Sequence, residues 1–213
     1  MFPSRREFIL AFASMHVLAV EGNAQIAKLT PSSRAKMLKN LSLAMGGLAL
    51  AIKAVAEGIA SLGKTADSGW SELSARRTRQ RLTDISARAA VLASENQSIV
   101  INGIDGYLEK SKPTVADWLA LTQPLNAVVS DLKVLLDELR EERSDFIAEP
   151  AYAILVQALD PAQLYLSQLQ TLPPPTTAEE REALLEIKAK YKILLENLQS
   201  AVRELNAYIR RSH

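Results

Sequence analysis

Apolar residues recur along much of the chain at alternating spacings of three and four, and this pattern constrains the fold more than any other feature. Such spacing puts the residues on one face of a helix that packs against neighbours, as in coiled coils and helical bundles. We call each such line of residues a seam. The first seam has no polar interruption and comprises Leu38, Leu41, Met45, Leu48, Ile52, Val55, Ile59 and Leu62.

Further seams follow the first. The second helix is predicted from about Ser71 to near Leu108, and Asn96 on its seam predicts a buried amide that fixes the helix register. The second seam is Leu82, Ile85, Ala89, Leu92, Asn96 and Ile99, and the third is Trp118, Leu121, Leu125, Val128, Leu132, Leu135, Leu139 and Phe146. The last two are Tyr152, Leu155, Leu159, Ala162, Leu166 and Leu169, and then Leu184, Ile187, Tyr191, Leu194, Leu198, Ala201, Leu205 and Tyr208.

Prolines and capping residues predict where these helices begin and end. Pro124 lies within the third seam, so we expect either a kink there or a fresh helix start capped by Thr122. The remaining predicted boundaries are Pro113, a break at Glu149-Pro150, a capped start at Asp160-Pro161, a stiff linker at residues 173–175, and a capping box at residues 177–180.

Together these features predict an all-α fold, an elongated antiparallel bundle of four or five long helices. Hydrophobic residues make up 48% of the chain but aromatic residues only 5%, a composition that favours helices over sheet. Residues 25–213 are predicted to form a single helical-bundle domain.

The chain lacks several residue types that enzymes use. It contains no cysteine, and its two histidines are His16, in the apolar N-terminal segment, and His213, the last residue. Cysteine nucleophiles, disulfides, a Ser-His-Asp triad and histidine-based metal sites in the folded body are therefore excluded. No glycine-rich phosphate loop is present either. Oxygen-only metal sites and carboxylate chemistry stay open, but no spacing of residues indicates them. We expect a protein that is not an enzyme and has no cofactor and no metal.

The N-terminus resembles a twin-arginine export signal over residues 1–24. Ser4, Arg5, Arg6 and Phe8 match that family's pattern, although Leu10 stands where a lysine is often found. The apolar segment 8–20 is too short to span a bilayer as a helix, and Ala24 is the predicted last residue before cleavage. The resemblance implies a periplasmic or secreted protein. The alternatives are an ordinary helix start in a cytoplasmic protein, or an uncleaved leader that anchors the chain in the inner membrane.

A basic run on the second predicted helix is the candidate anion-binding or partner-binding patch. It comprises Arg76, Arg77, Arg79 and Arg81. The alternative, which we prefer, is that these arginines pair with the chain's own acidic stretches at residues 137–149 and 179–186 or are simply solvated. No aromatic residues are interleaved with the patch and the net charge is only +1, so nucleic acid is disfavoured as a partner.

The segment 41–63 carries only Lys53 and Glu57 as charged residues, and it is long and apolar enough to enter a bilayer. The alternative, which we prefer, is a buried core helix, because these two side chains can pair at i,i+4 on its outer face.

The leading functional hypothesis is a non-enzymatic exported bundle that binds another macromolecule, an unknown protein partner, in the cell envelope. A membrane-active or pore-forming bundle, a small-ligand sensor or carrier with an interhelical pocket, and a homo-oligomer remain open.

The leader hypothesis predicts that Arg5→Lys with Arg6→Lys traps the precursor inside the cell, because the paired guanidinium groups carry the resemblance. Fractionation and immunoblotting of cells expressing the tagged chain measure this. Processing of the double variant at the wild-type rate, or a mature protein that keeps Met1, would contradict the hypothesis.

Overall fold

The computed structural model describes residues 30–62 and 72–211, except for the side chains of residues 72–75 and 95–98. Within those ranges the chain forms five α-helices and one 3₁₀ turn, Ser144–Phe146, and no strand. The helices are α1 (Pro31–Leu62), α2 (Glu72–Glu109), α3 (Val115–Glu142), α4 (Glu149–Gln170) and α5 (Ala178–Arg211). The prediction of an all-α bundle of long helices is confirmed. The leader residues Ser4, Arg5, Arg6, Phe8 and Ala24 lie outside the described ranges.

The five helices form a closed ring in the order α1, α5, α2, α3, α4. Each packs mainly against the two helices beside it in that order. Four neighbouring pairs are antiparallel, because residue numbers rise along one helix of the pair as they fall along the other. The contacts that show this are Arg88–Glu138 and Tyr107–Trp118 for α2 and α3, Ser86–Asn206 and Asp105–Lys188 for α2 and α5, Trp118–Leu169 and Lys133–Asp160 for α3 and α4, and Asn40–Tyr165 and Gly47–Ala158 for α1 and α4.

The fifth neighbouring pair, α1 and α5, is parallel. Arg34 and Glu180, both near the start of their helices, are hydrogen-bonded, and further along Asn197 donates to the carbonyl oxygen of Ala49 at 2.7 Å. An odd number of helices in a closed ring cannot alternate in direction throughout, so at least one pair must run parallel. The antiparallel arrangement expected from the sequence therefore has this one exception.

The seams of α1, α3 and α5 form the core as predicted. From Leu38 to Ile59 every predicted seam residue of α1 is buried, and so is every one from Trp118 to Leu139 in α3. α1 is enclosed by α4, α5 and the 3₁₀ turn. It is the one helix in the described ranges that is long and apolar enough to cross a membrane, and 56% of its most apolar window is buried in the bundle.

The predicted seam of α2 is wrong at its C-terminal end. Ile99 is 53% exposed, and Val100 occupies the core in its place. The buried residues of α2, among those whose side chains are described, are Leu82, Ile85, Ser86, Ala89, Leu92, Ala93, Val100, Ile101, Ile104 and Tyr107, so the buried line moves from Leu92 to Ala93 and on to Val100. This line follows the 3.6-residue period of a straight helix, which drifts by about 20° per heptad from a strict seven-residue repeat. The side chain of Asn96, the predicted register-fixing residue, is outside the described part of the chain.

The two interior prolines do not start new helices. α3 runs through Pro124 and α4 runs through Pro161, whereas the predicted break at Pro150 is confirmed as the first turn of α4. Proline removes the hydrogen bond to the carbonyl four residues earlier, here on Ala120 and Gln157. Both of those residues are exposed, so water can satisfy their carbonyls. Thr122, the predicted cap, instead donates its hydroxyl to the carbonyl of Trp118.

The predicted capping box at the start of α5 is present, and its glutamate also binds an arginine of α1. The carboxylate of Glu180 is fully buried and accepts hydrogen bonds from Arg34 at 2.6 Å, from the backbone N–H groups of Thr176 and Thr177, and from the Thr177 hydroxyl. The Thr177 hydroxyl in turn accepts from the Glu180 backbone N–H. Burial raises the pKa of the Glu180 carboxyl, but these hydrogen bonds outweigh burial and leave the pKa below its usual value.

Glu180→Gln should destabilise the fold by about 3 kcal/mol, because it leaves the largely buried Arg34 guanidinium without its counter-charge. Glu179→Gln is the matched control, since Glu179 and Lys39 form an exposed pair worth under about 1 kcal/mol. Urea unfolding monitored by circular dichroism measures both values.

The same comparison has a pH dependence. Because folding lowers the pKa of Glu180, its contribution is complete above pH about 5 and is lost progressively as the pH falls below about 4. The difference in free energy of unfolding between wild type and Glu180→Gln should therefore become smaller in acid.

Equal destabilisation by Glu180→Gln and Glu179→Gln at neutral pH would show that the buried pair of Arg34 and Glu180 does not hold α1 to α5.

Candidate functional site

One end of the bundle is rich in arginine. At this end α1, α3 and α5 finish and α2 and α4 begin. Every arginine in the described ranges except Arg34 and Arg181 lies in this half of the bundle, namely Arg76, Arg77, Arg79, Arg81, Arg88, Arg140, Arg143, Arg203, Arg210 and Arg211. The lysines of the described ranges lie mostly in the opposite half, Lys53 and Lys133 being the exceptions. Guanidinium groups present a rigid fork that matches carboxylate or phosphate.

Several of these arginines are paired within the chain. Arg81 pairs with Glu142 and Arg88 with Glu138, both across the α2–α3 interface. The intramolecular pairing considered for the basic run is therefore correct for Arg81. The hydrogen bonds that Arg88 donates to Glu138 raise the pKa of Arg88. These pairs help align α2 with α3. A partner could bind Arg81 or Arg88 only by breaking its ion pair within the chain.

Arg143 is buried and has a structural role. It donates to both oxygens of Asp145, one at 2.8 Å, and to the hydroxyl of Tyr208, and its guanidinium lies 4.9 Å from the Phe146 ring centroid. The bond from Arg143 lowers the pKa of Asp145. This network ties the 3₁₀ turn to the last turns of α5. The turn also passes so close to α1 that a Cβ at Gly58 would lie 2.5 Å from the carbonyl oxygen of Phe146.

Four arginines at this end are exposed and form no salt bridge or hydrogen bond with any residue that the structure describes: Arg76 and Arg77 on α2, and Arg203 and Arg210 on α5. Arg79 is half-buried, and it takes part in an interaction, as does Arg211. Of the predicted patch, Arg76 and Arg77 are thus available to a partner and Arg81 is not. We call Arg76, Arg77, Arg203 and Arg210 the free arginines.

The antiparallel packing of α2 and α5 brings the free arginines to the same end. Ser86 of α2 donates to Asn206 of α5 at 3.0 Å, which sets these two residues at the same level. At 1.5 Å per residue, Arg210 lies about 6 Å beyond that level and Arg77 about 13 Å beyond it, in the same direction. The sequence offered another interpretation of Arg210, as a charge that suits the C-terminal dipole of its helix. Only the direction of α5 relative to α2 places it beside the predicted patch.

An apolar groove lies at mid-length of α2, about 21 Å along the helix from Arg77. It lies between α2 and α3, has a volume of about 460 Å³, and is lined by Ala87, Arg88, Val91, Leu92, Asp131, Val134 and Leu135. Val91 and Val134 are each half exposed, and Asp131 has no partner among the described residues. A groove between two antiparallel helices can take the apolar ridge of a third helix.

The core cavities that the described residues line are small. Two apolar cavities lie between the helices, with volumes of about 10 and 30 Å³, and their linings contribute no polar surface. Ligand pockets usually measure about 300–1,000 Å³. A larger open groove lies between α2 and α5 and is lined by Asp105, Leu108, Glu109, Ala178, Arg181, Glu182 and Leu185. No group of three or more His, Asp or Glu side chains suited to a metal ion occurs in the described ranges.

Comparison of the chain with protein-family models, curated proteins and solved structures found no match.

Proposed function

We propose that this protein is a non-enzymatic, exported helical bundle that binds an acidic partner protein in the cell envelope through its arginine-rich end. The observation that carries the proposal is the set of free arginines, which α2 and α5 present together at one end. The groove at mid-length between α2 and α3 accommodates an apolar ridge of the same partner. The export part of the proposal rests on the resemblance of residues 1–24 to a twin-arginine signal.

The chemistry favours carboxylates as the groups that are bound. A guanidinium can form two parallel hydrogen bonds with one carboxylate, and such charge-assisted bonds are about twice as strong as neutral ones. An amphipathic helix with glutamates beside an apolar stripe would reach both the free arginines and the groove. Because exposed charges are screened by salt, binding should weaken as ionic strength rises.

A protein is favoured over a lipid surface because the charges at this end are mixed. Asp84 and Glu141 are exposed there alongside the free arginines. A uniformly anionic membrane would repel these carboxylates, whereas a folded partner can place its own charges to match.

Membrane activity is the second candidate, and the apolar character of α1 is the observation that favours it. The most apolar window of α1 has a mean hydropathy of 1.6. To enter a bilayer, however, α1 would have to leave its contacts with α4 and α5, which hold most of its length in the core.

A charge-matched pair of variants tests the leading proposal. Arg77→Gln with Arg210→Gln removes two free arginines, while Lys112→Gln with Lys192→Gln removes two exposed lysines from the opposite half. In pull-downs from envelope extract of the native host, the arginine variant should bind the captured protein about tenfold more weakly, and the lysine variant should match wild type.

Two outcomes of this experiment would contradict the proposal. Equal loss of binding in both variants would mean that only overall charge matters, and equal retention of binding would mean that the free arginines make no contact with the partner.

A second experiment uses dye-loaded vesicles of phosphatidylethanolamine and phosphatidylglycerol. Dye release by wild type at low protein concentration would favour the membrane-active candidate instead.

A further inference from the structure

The outer face of α1 carries a regular line of exposed residues. Between residues 36 and 57 the exposed positions are Lys36, Leu43, Leu50, Lys53 and Glu57. Four of them, Lys36, Leu43, Leu50 and Glu57, are spaced by seven residues and so lie along one line on the helix. Leu43 is 55% exposed and Leu50 is 46% exposed, although every apolar seam residue of α1 from Leu38 to Ile59 is buried. We call these four residues the α1 line.

Small residues and one further apolar side chain surround the middle of the α1 line. Gly46 and Gly47 lie between Leu43 and Leu50 and carry no side chain of their own. On α5, Lys190 lies against Gly46 and Asn197 bonds to Ala49. Ile193 lies between those two α5 residues and is 45% exposed, so a third exposed apolar side chain sits at the same level.

The α1 line is complementary to a second copy of itself that runs in the opposite direction. A two-fold axis that crosses α1 at right angles between Gly46 and Gly47 exchanges Leu43 with Leu50 and Lys36 with Glu57. In a two-fold dimer the same patch occurs on both subunits, and residue i contacts residue j where j contacts i. The α1 line meets this requirement with two apolar pairs at the centre and an opposite-charge pair at each end.

We propose that a second copy of this chain docks on the α1 line, with the two α1 helices antiparallel across a two-fold axis at Gly46–Gly47. Lys36 has no acidic partner within the described part of its own chain. Glu57 has only a long, exposed contact of 3.9 Å with Lys53. Both charges are therefore available to the second copy. Charge complementarity of the line with its reverse favours a second copy over an unrelated partner.

The dimer uses a different face from the arginine-rich end and does not rest on the proposed function. Because the two copies run in opposite directions, their arginine-rich ends lie at opposite ends of the dimer. Each α1 has 32 residues, which corresponds to a length of about 48 Å. The dimer would hold two partner proteins far apart rather than side by side.

Sedimentation equilibrium of the purified chain tests the surface. Wild type should be a dimer at micromolar concentration, and Leu50→Glu should raise the dimer dissociation constant at least a hundredfold by setting a charge among apolar groups. Leu185→Glu is the matched control, since Leu185 is 52% exposed on α5 and lines the groove between α2 and α5 instead. A monomeric wild type, or a Leu50→Glu variant that dimerises as wild type does, would overturn the proposal.

Cysteine cross-linking tests the register, because the natural chain contains no cysteine. A mixture of Leu43→Cys and Leu50→Cys chains should form a mixed disulfide quickly under mild oxidation. Leu43→Cys alone should not cross-link to itself, because the two copies of residue 43 are offset by about 10.5 Å along the helix axis, beyond the roughly 7 Å limit for the Cα atoms of a disulfide. Faster self-cross-linking of Leu43→Cys would indicate a parallel arrangement and overturn the proposed one.

Discussion

The parallel pairing of α1 and α5 is the constraint on which the rest of the bundle depends. Parallel helices bring two N-termini together, each with a partial positive charge from its unpaired N–H groups. The buried carboxylate of Glu180 lies at this point and accepts hydrogen bonds from the start of α5 and from Arg34 of α1. One side chain therefore caps α5, offsets the two dipoles and fixes the register of α1. With α1 held there, α4 and the 3₁₀ turn close over its remaining sides.

The apolar pattern of the sequence predicted most of the fold because burial selects for it directly. The seams of α1, α3 and α5 were predicted correctly, since every residue at the spacing of three or four in these helices is apolar and all but Ala201 are large. Ile99 was assigned wrongly because a heptad repeat and a 3.6-residue period agree over short stretches and diverge over a helix of 38 residues. Pro161 was wrongly predicted to start a helix. The local pattern of Asp160 and Pro161 does not tell whether the carbonyl of Gln157, which loses its hydrogen bond to the proline, faces water.

The arginine-rich end was predictable only in part. Arg76 and Arg77 were identified from their spacing along one helix, and the pairing of Arg81 was foreseen as one alternative. The contribution of Arg203 and Arg210 was not foreseeable, because it depends on the direction of α5 relative to α2. The exposed leucines of α1 pose a similar problem. Leu43 and Leu50 lie off the predicted seam of α1, but only the positions of α4 and α5 show that neither helix covers them.

α1 is the structural core of a stable bundle rather than a helix held ready to leave it. Native-state hydrogen exchange resolved by residue tests this claim most directly. Amides from Leu41 to Val55 should be among the slowest to exchange, and should open only by global unfolding, with the same denaturant dependence as the whole fold. Exchange of these amides by local opening, clearly faster than that of Val128 to Leu139 in α3, would contradict the claim.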